Sequence, residues 1–161
     1  MNGKYLLLGS NIGDRLENIS YAKKNIRERI GVIDIESPVY ITSPWGTTSQ
    51  PDYYNQVIRV ITGLEPDNLL EAIAGLETDM GRKRNQKWDN RIIDIDILFY
   101  DDRIVDEPHL KIPHPLIPDR LFVLIPMADI AAEEVHPVLN VPIRELLEMT
   151  TDKGRVIKLV D

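Results

Sequence analysis

The segment Arg91-Ile-Ile-Asp94-Ile-Asp96-Ile-Leu-Phe-Tyr100 constrains this chain more than any other part of it. Acidic and apolar residues alternate with the period of two that belongs to a β-strand, so Ile95 and Ile97 point into a core. Asp94 and Asp96 then share the opposite face, with Cα atoms roughly 6.6 Å apart. Two carboxylates on a rigid strand suit Mg²⁺, which takes a few hard oxygens and completes its shell with water or phosphate. Just upstream, Gly81-Arg82-Lys83-Arg84-Asn85-Gln86-Lys87-Trp88-Asp89-Asn90-Arg91 concentrates cations that would meet an anion brought to such metals. An acidic strand beside a basic loop points to metal-assisted phosphoryl chemistry. The plain alternative is a half-exposed strand whose polar face happens to be acidic.

Composition narrows the setting. A chain of 161 residues is expected to form one domain, 1–161, with a substantial core. Its 43% hydrophobic and 28% charged content is that of a globular protein. A formal charge of −7 argues against a general nucleic-acid binder, and the local cations of 82–91 suit a small polyanion better than a polymer. The chain has no cysteine, which excludes disulfides, thiolate metal sites and a cysteine nucleophile. No apolar run approaches the ~20 residues of a membrane span, and the N-terminus lacks a signal-peptide pattern. A cytoplasmic, monomeric protein with no membrane partner is the expectation.

The order of elements follows from periodicity and punctuation. Lys4–Leu8 reads as a buried strand. Asp14-x-x-Glu17 opens a helix whose stripe is Leu16, Ile19, Ala22, Lys23, Ile26 and Ile30, with Gly31 ending it. A strand through 32–40 is interrupted by Pro38, and Ser43–Asp52 is a loop. Asn55–Thr62 is a strand, and Pro66 starts a second helix with Leu69, Ile73, Leu76 and Met80 inward. The sum is β-α-β-β-α-β, an α+β ferredoxin-like core with an antiparallel sheet and two helices on one face. Beyond Tyr100, the spacing predicts a C-terminal hairpin turning at Asp101-Asp102, an irregular proline-rich stretch, short helices near 120–131 and 142–149, and a last strand at 156–160.

Several segments taken together resemble the 6-hydroxymethyl-7,8-dihydropterin pyrophosphokinase family of folate biosynthesis. They are Gly9-Ser10-Asn11, Gln50-Pro51-Asp52-Tyr53-x-Asn55, Glu77-x-x-x-Gly81-Arg82-x-Arg84, Arg91-x-x-Asp94-Ile-Asp96-Ile, Pro113-His114 and Arg120-x-Phe122. The resemblance spans about residues 4–130. It implies transfer of diphosphate from ATP to the pterin's hydroxymethyl group, releasing AMP, by direct attack at the β-phosphorus. It implies two Mg²⁺ ions on Asp94 and Asp96, with Arg82 and Arg91 joining them in catalysis. Glu77, Arg82, Arg84, Trp88, Arg91, Ile97, His114 and Arg120 would meet ATP. Ser43, Trp45, Tyr53, Asn55, Trp88 and Phe122 would meet the pterin. Gly9–Gly13, Ser43–Gln50 and Arg82–Arg91 resemble the family's three closing loops.

Departures from the family pattern fall at Ala74, Asp89, Asn90, His109, Lys111 and Pro115, and they bear on nucleotide affinity more than on reaction class. Two other readings stay open. An RNA-binding module of the same fold would need exposed aromatics and a basic face, against an aromatic content of 6%. A Mg²⁺-nucleotide kinase releasing ADP is the nearer rival, although the chain has no Gly-x-x-x-x-Gly-Lys-Ser/Thr loop.

Overall fold

Alternation and capping set the first half of the fold. The computed structural model describes residues 1–45, 49–81 and 92–160. Strand β1 (Lys4–Ser10) leads into helix α1 (Arg15–Arg29), whose N-cap Asp14 accepts a hydrogen bond from the Glu17 amide at 3.0 Å. The apolar stripe of α1 begins at Ile19, while Leu16 in the first turn is exposed. Gly31 follows where a Cβ would lie 2.0 Å from the Ile61 carbonyl oxygen, so only glycine admits that approach. The segment around Pro38 splits the next strand into β2 (Val32–Glu36) and β3 (Tyr40–Thr42), as the proline requires. Both pieces pair antiparallel with β4 (Tyr53–Ile61), β2 along its end and β3 along its beginning. Helix α2 (Pro66–Asp79) carries Pro66 in its first turn, and β5 (Asp94–Tyr100) completes the core.

The sheet order is β5-β1-β4-β3, with β2 beside β4 and β8 (Val156–Lys158) added outside β3. Antiparallel pairing of β1 with both β4 and β5 makes this the ferredoxin-like arrangement expected from the sequence. Leu6, Leu8, Ile58, Val60, Ile95 and Ile97 pack against Ile19, Ile26, Leu69, Ile73 and Leu76 of α1 and α2. A bulge in β5 sets Leu6 opposite Ile97 but Tyr5 opposite Phe99. The extra residue turns both Leu98 and Phe99 to the other face and returns Tyr100 to the helix side.

Two findings differ from the sequence reading. The expected C-terminal hairpin is present, but its turn lies at Pro108-His109 within the proline-rich stretch, where β6 (Val105–Glu107) and β7 (Leu110–Ile112) pair regularly. Pro108 falls in the hairpin's turn, where its missing N–H breaks no pairing. The second difference concerns layers. Helices α3 (Leu121–Ala131) and α4 (Ile143–Met149) cover the sheet face opposite α1 and α2, packing Val123, Leu124, Met127, Ile143 and Leu146 on Tyr5, Leu7, Val57, Leu98 and Phe99. The sheet is therefore enclosed on both sides. This second layer covers the Tyr5 and Val57 end, and a cavity forms at the Gly9 and Asn55 end.

Candidate active site

The cross-strand register builds the floor of that cavity. Gly9 of β1 lies between Asp94 of β5 and Asn55 of β4, and Leu7 lies between Asp96 and Val57. Strand parity puts Asp94, Asp96, Gly9 and Asn55 on one face. At the centre of the row Gly9 contributes no side chain, and a Cβ there would come within 2.7 Å of Asn55 Oδ1. The floor is thus flat between an amide on one side and a carboxylate on the other. The cavity above it measures about 380 Å³, within the usual range for small-molecule sites.

The walls divide by chemistry. At the Asn55 end stand Tyr53, Trp45 and Phe122, all half-buried, with Ser43 and Gln50 beside them. Asn55 is held by its Nδ2, which donates to Thr42 Oγ1 at 2.6 Å across the β3–β4 pair. At the other end Asp94 and Asp96 meet Glu77, His114 and Arg120. Glu77 is buried, and its Oε2 accepts the Ile95 amide at 3.0 Å, pinning the start of β5 to α2. His114 Nδ1 accepts the Leu116 amide at 3.2 Å, which leaves the proton on Nε2. Burial, with the Arg120 charge adding to it, pushes the His114 pKa down to about 4, and Asp94 offsets this only in part. At neutral pH His114 is therefore an uncharged N–H donor.

Arg120 joins the two halves. Its guanidinium lies over the Trp45 ring at 4.5 Å and the Phe122 ring at 5.3 Å. Burial lowers its pKa while Asp96 and Asp94 pull the other way. Its Nε is buried and has no acceptor among the described residues. An unsatisfied buried donor is costly, and an anionic ligand would satisfy it.

Within the described residues the cavity thus carries three carboxylates and one guanidinium. A divalent cation would offset that excess of negative charge. Among the described residues no cluster of three or more acidic, histidine or cysteine side chains suits a metal, and Asp94 and Asp96 are the adjacent carboxylate pair of the cavity that could hold one. Mg²⁺ accepts such a site, because it keeps waters and phosphate oxygens in its remaining positions.

The structure brings together Ser43, Trp45, Tyr53, Asn55, Glu77, Asp94, Asp96, His114, Arg120 and Phe122 from the sequence expectation. Arg82, Arg84, Trp88 and Arg91 lie outside the described residues. Ile97 packs in the core between sheet and helices, which leaves only its backbone for a ligand, and Ile95 lines the cavity instead. His109 and Lys111 are exposed on the β6–β7 hairpin, paired with Asp67 and Asp106, and neither reaches the cavity. Sequence reading missed Thr42, Leu70 and Ile73 as lining residues. Thr42 becomes legible only through the register that sets it opposite Tyr53.

A ferredoxin-like α+β domain with paired strand carboxylates and an aromatic slot defines the class: an enzyme that handles a phosphorylated co-substrate next to a flat organic one. The model of the 7,8-dihydro-6-hydroxymethylpterin-pyrophosphokinase family matches residues 5–132, and the chain belongs to that family. It is 40% identical over 151 residues to the 2-amino-4-hydroxy-6-hydroxymethyldihydropteridine pyrophosphokinase of Aquifex aeolicus, covering 92% of both chains. The enzyme of the same name from Haemophilus influenzae is 35% identical over 156 residues, with 96% of both covered. A folic acid synthesis protein of Dictyostelium discoideum is 40% identical over 137 residues, and the match spans 21% of that longer protein. The crystal structure of wild-type Plasmodium falciparum HPPK-DHPS with pteroate shares the fold, with a TM-score of 0.72 at 21% identity. This chain covers 42% of that one and is itself covered to 91%. Family membership makes the chain a pyrophosphokinase of folate synthesis with ATP as co-substrate.

Proposed function

We propose that the chain transfers the β,γ-diphosphate of ATP to the hydroxymethyl oxygen of 6-hydroxymethyl-7,8-dihydropterin, by direct attack on the β-phosphorus, with AMP leaving. The observation that carries this reading is the row Asp94–Gly9–Asn55 across three strands. It sets a carboxylate pair and an aromatic-walled slot side by side on one floor. The pterin lies over Gly9, flanked by Tyr53 and Phe122, with Asn55 reading its edge and Ser43 and Trp45 closing the slot. Its hydroxymethyl arm then points toward Asp94 and Asp96.

Asp94 and Asp96 are the residues that would hold Mg²⁺, two ions by family resemblance. When bound, Mg²⁺ supplies neutralisation of phosphate charge and a lower pKa for the attacking hydroxyl. The chain's own residues do the remaining work. Arg120 offers its buried, unsatisfied Nε to a phosphate oxygen, and neutral His114 donates from Nε2 without needing to titrate. Arg82, Arg84 and Arg91 would add further cationic contacts, with Arg82 and Arg91 acting on the reacting phosphates; Trp88 would cover both ligands, and Glu77 fixes the strand that carries the aspartates. Fixed donors aimed at developing charge are the main source of rate enhancement in such chemistry.

The proposed setting is a single domain over 1–161, working as a cytoplasmic monomer on small molecules rather than on nucleic acid or membranes. Among the described residues no helix is long and apolar enough to cross a membrane. The test is a product assay with ATP, Mg²⁺ and the pterin alcohol that resolves AMP from ADP. One AMP per diphosphorylated pterin supports the reading. ADP would reassign the chemistry to simple phosphoryl transfer and overturn it.

A further inference from the structure

The segment after α4 lies outside the 5–132 region matched by the family model, yet it touches β3, the Ser43 loop, the residue before β4 and the start of α3, all on the pterin side of the cavity. Strand β8 pairs with β3, placing Val156 opposite Thr42. At the end of that pair the Ser43 amide donates to the Arg155 carbonyl at 3.0 Å, and the Arg155 amide donates to Ser43 Oγ at 3.0 Å. The loop leading to Trp45 is therefore gripped by main chain on one side. Arg155 also extends its guanidinium to the Asp52 carboxylate, one residue before Tyr53. The Asp52 carbonyl in turn accepts from Arg15 at 2.8 Å.

Asp152 acts on the third wall. Helix α3 starts without any side-chain cap of its own, because its N-cap residue is Arg120. The Leu121 amide instead donates to Asp152 Oδ2 at 2.8 Å, while Asp152 Oδ1 accepts the Gly154 amide at 2.9 Å. One carboxylate thus caps a helix from 31 residues away in sequence and closes its own turn. The residues on either side of Leu121 are Arg120 and Phe122, the two cavity residues at the start of α3. A second cavity of about 330 Å³ lies between this segment and the slot, lined by Ser43, Trp45, Phe122, Asp152 and Arg155.

We infer that Asp152 and Arg155 are positioning residues for the pterin side of the site: Asp152 sets Phe122 through the cap on α3, and the Arg155 side chain sets Tyr53 through Asp52, beside the main-chain hold on Ser43. The inference rests on the proposed placement of the pterin between Tyr53 and Phe122. Neither residue lines the pterin cavity itself, so their effect is on the fraction of molecules whose slot is assembled, which scales the apparent affinity directly.

The test is calorimetric titration of 6-hydroxymethyl-7,8-dihydropterin into protein saturated with Mg²⁺ and a non-hydrolysable ATP analogue, and separately of the analogue alone. Asp152→Ala is expected to weaken pterin binding about five- to tenfold, the scale of a lost helix cap. Arg155→Ala is expected to weaken it about two- to fivefold, as befits an exposed ion pair. Analogue affinity should stay within about twofold of wild type in Arg155→Ala, and in Asp152→Ala it should fall less than pterin affinity, because Arg120 also adjoins the capped Leu121. Asp152→Asn keeps one acceptor for Leu121 and Arg155→Lys keeps the charge, so each should recover most of the loss. Because Arg155 is largely exposed, its alanine variant is expected to fold even if Asp152→Ala does not. Unchanged pterin affinity in folded Arg155→Ala overturns Arg155's part, and the same result in folded Asp152→Ala overturns the cap. Equal loss of both ligands would make the segment merely structural. Wild-type protein that binds the analogue but no pterin would instead sink the reading of the slot, and this inference with it.

Discussion

Gly9 and Asp96 test the two halves of the site one residue at a time. A methyl group at position 9 would meet Asn55 Oδ1 at 2.7 Å, and the amide can move away because it ends a side chain. The fold should therefore survive Gly9→Ala, while the flat floor and the Asn55 contact should not. The expected result is a loss of pterin affinity of about tenfold or more, the value of one displaced hydrogen-bonding group, with ATP-analogue binding nearly intact. Pterin binding at wild-type strength would show that the ring does not lie over Gly9. Asp96→Ala removes half of the carboxylate pair from a half-buried strand position, so stability should change little. Turnover should fall to background and excess Mg²⁺ should not restore it, since the missing group is the clamp itself. A folded Asp96→Ala variant with near-normal AMP production would remove the metal assignment.

At the level of elements, the close crossing at Gly31 gives the sharpest stability prediction. A Cβ at that position would stand 2.0 Å from the Ile61 oxygen and 3.0 Å from its carbonyl carbon. These are backbone atoms of the paired strand β4, which cannot rotate aside. Gly31→Ala should cost about 3 kcal/mol or more, read as a lowered urea midpoint with an unchanged slope; a cost below about 1 kcal/mol would mean that the α1–β2 connection yields easily. The same elements show what a sequence can disclose. Helices α1 and α2 and strand β5 were legible because their signals are local: a cap at Asp14, a proline at 66, a period of two from Asp94. The break at Pro38 was legible for the same reason. Covering of the second sheet face by α3 and α4 was not, because which face a short apolar helix covers depends on contacts far away in the chain. The aspartates could be read as site residues from the strand period beside the basic loop, and Tyr53 and Asn55 from the family resemblance. Asp152 and Arg155 could not, since they approach Leu121 and Asp52 only after β8 has joined β3.

For the molecule as a whole, two histidines tie stability to pH. His114 sits at the cavity with its pKa near 4, and burial likewise lowers the pKa of His136. His136 holds the turn before α4: its Nδ1 accepts from the Val138 and Leu139 amides at 3.2 and 3.1 Å, and its ring meets Phe99 edge-on. In the unfolded chain both should titrate near 6.5. Above that pH neither state binds the proton and the contribution to stability is constant. As pH falls below 6.5 the unfolded state takes up protons that the fold refuses, so stability is lost progressively until the folded pKa is reached. For His114 that window runs from 6.5 to about 4 and is worth about 3 kcal/mol at most. Asparagine can place its Oδ1 where either Nδ1 accepts, keeping the backbone bonds without a titrating ring. Urea midpoints of the wild-type protein should therefore drop between pH 7 and pH 5. The drop should be smaller in His136→Asn and in His114→Asn, and smallest in the double variant. Parallel pH profiles for all four proteins would place the acid sensitivity elsewhere, in the carboxylates that hold the ion pairs of the surface.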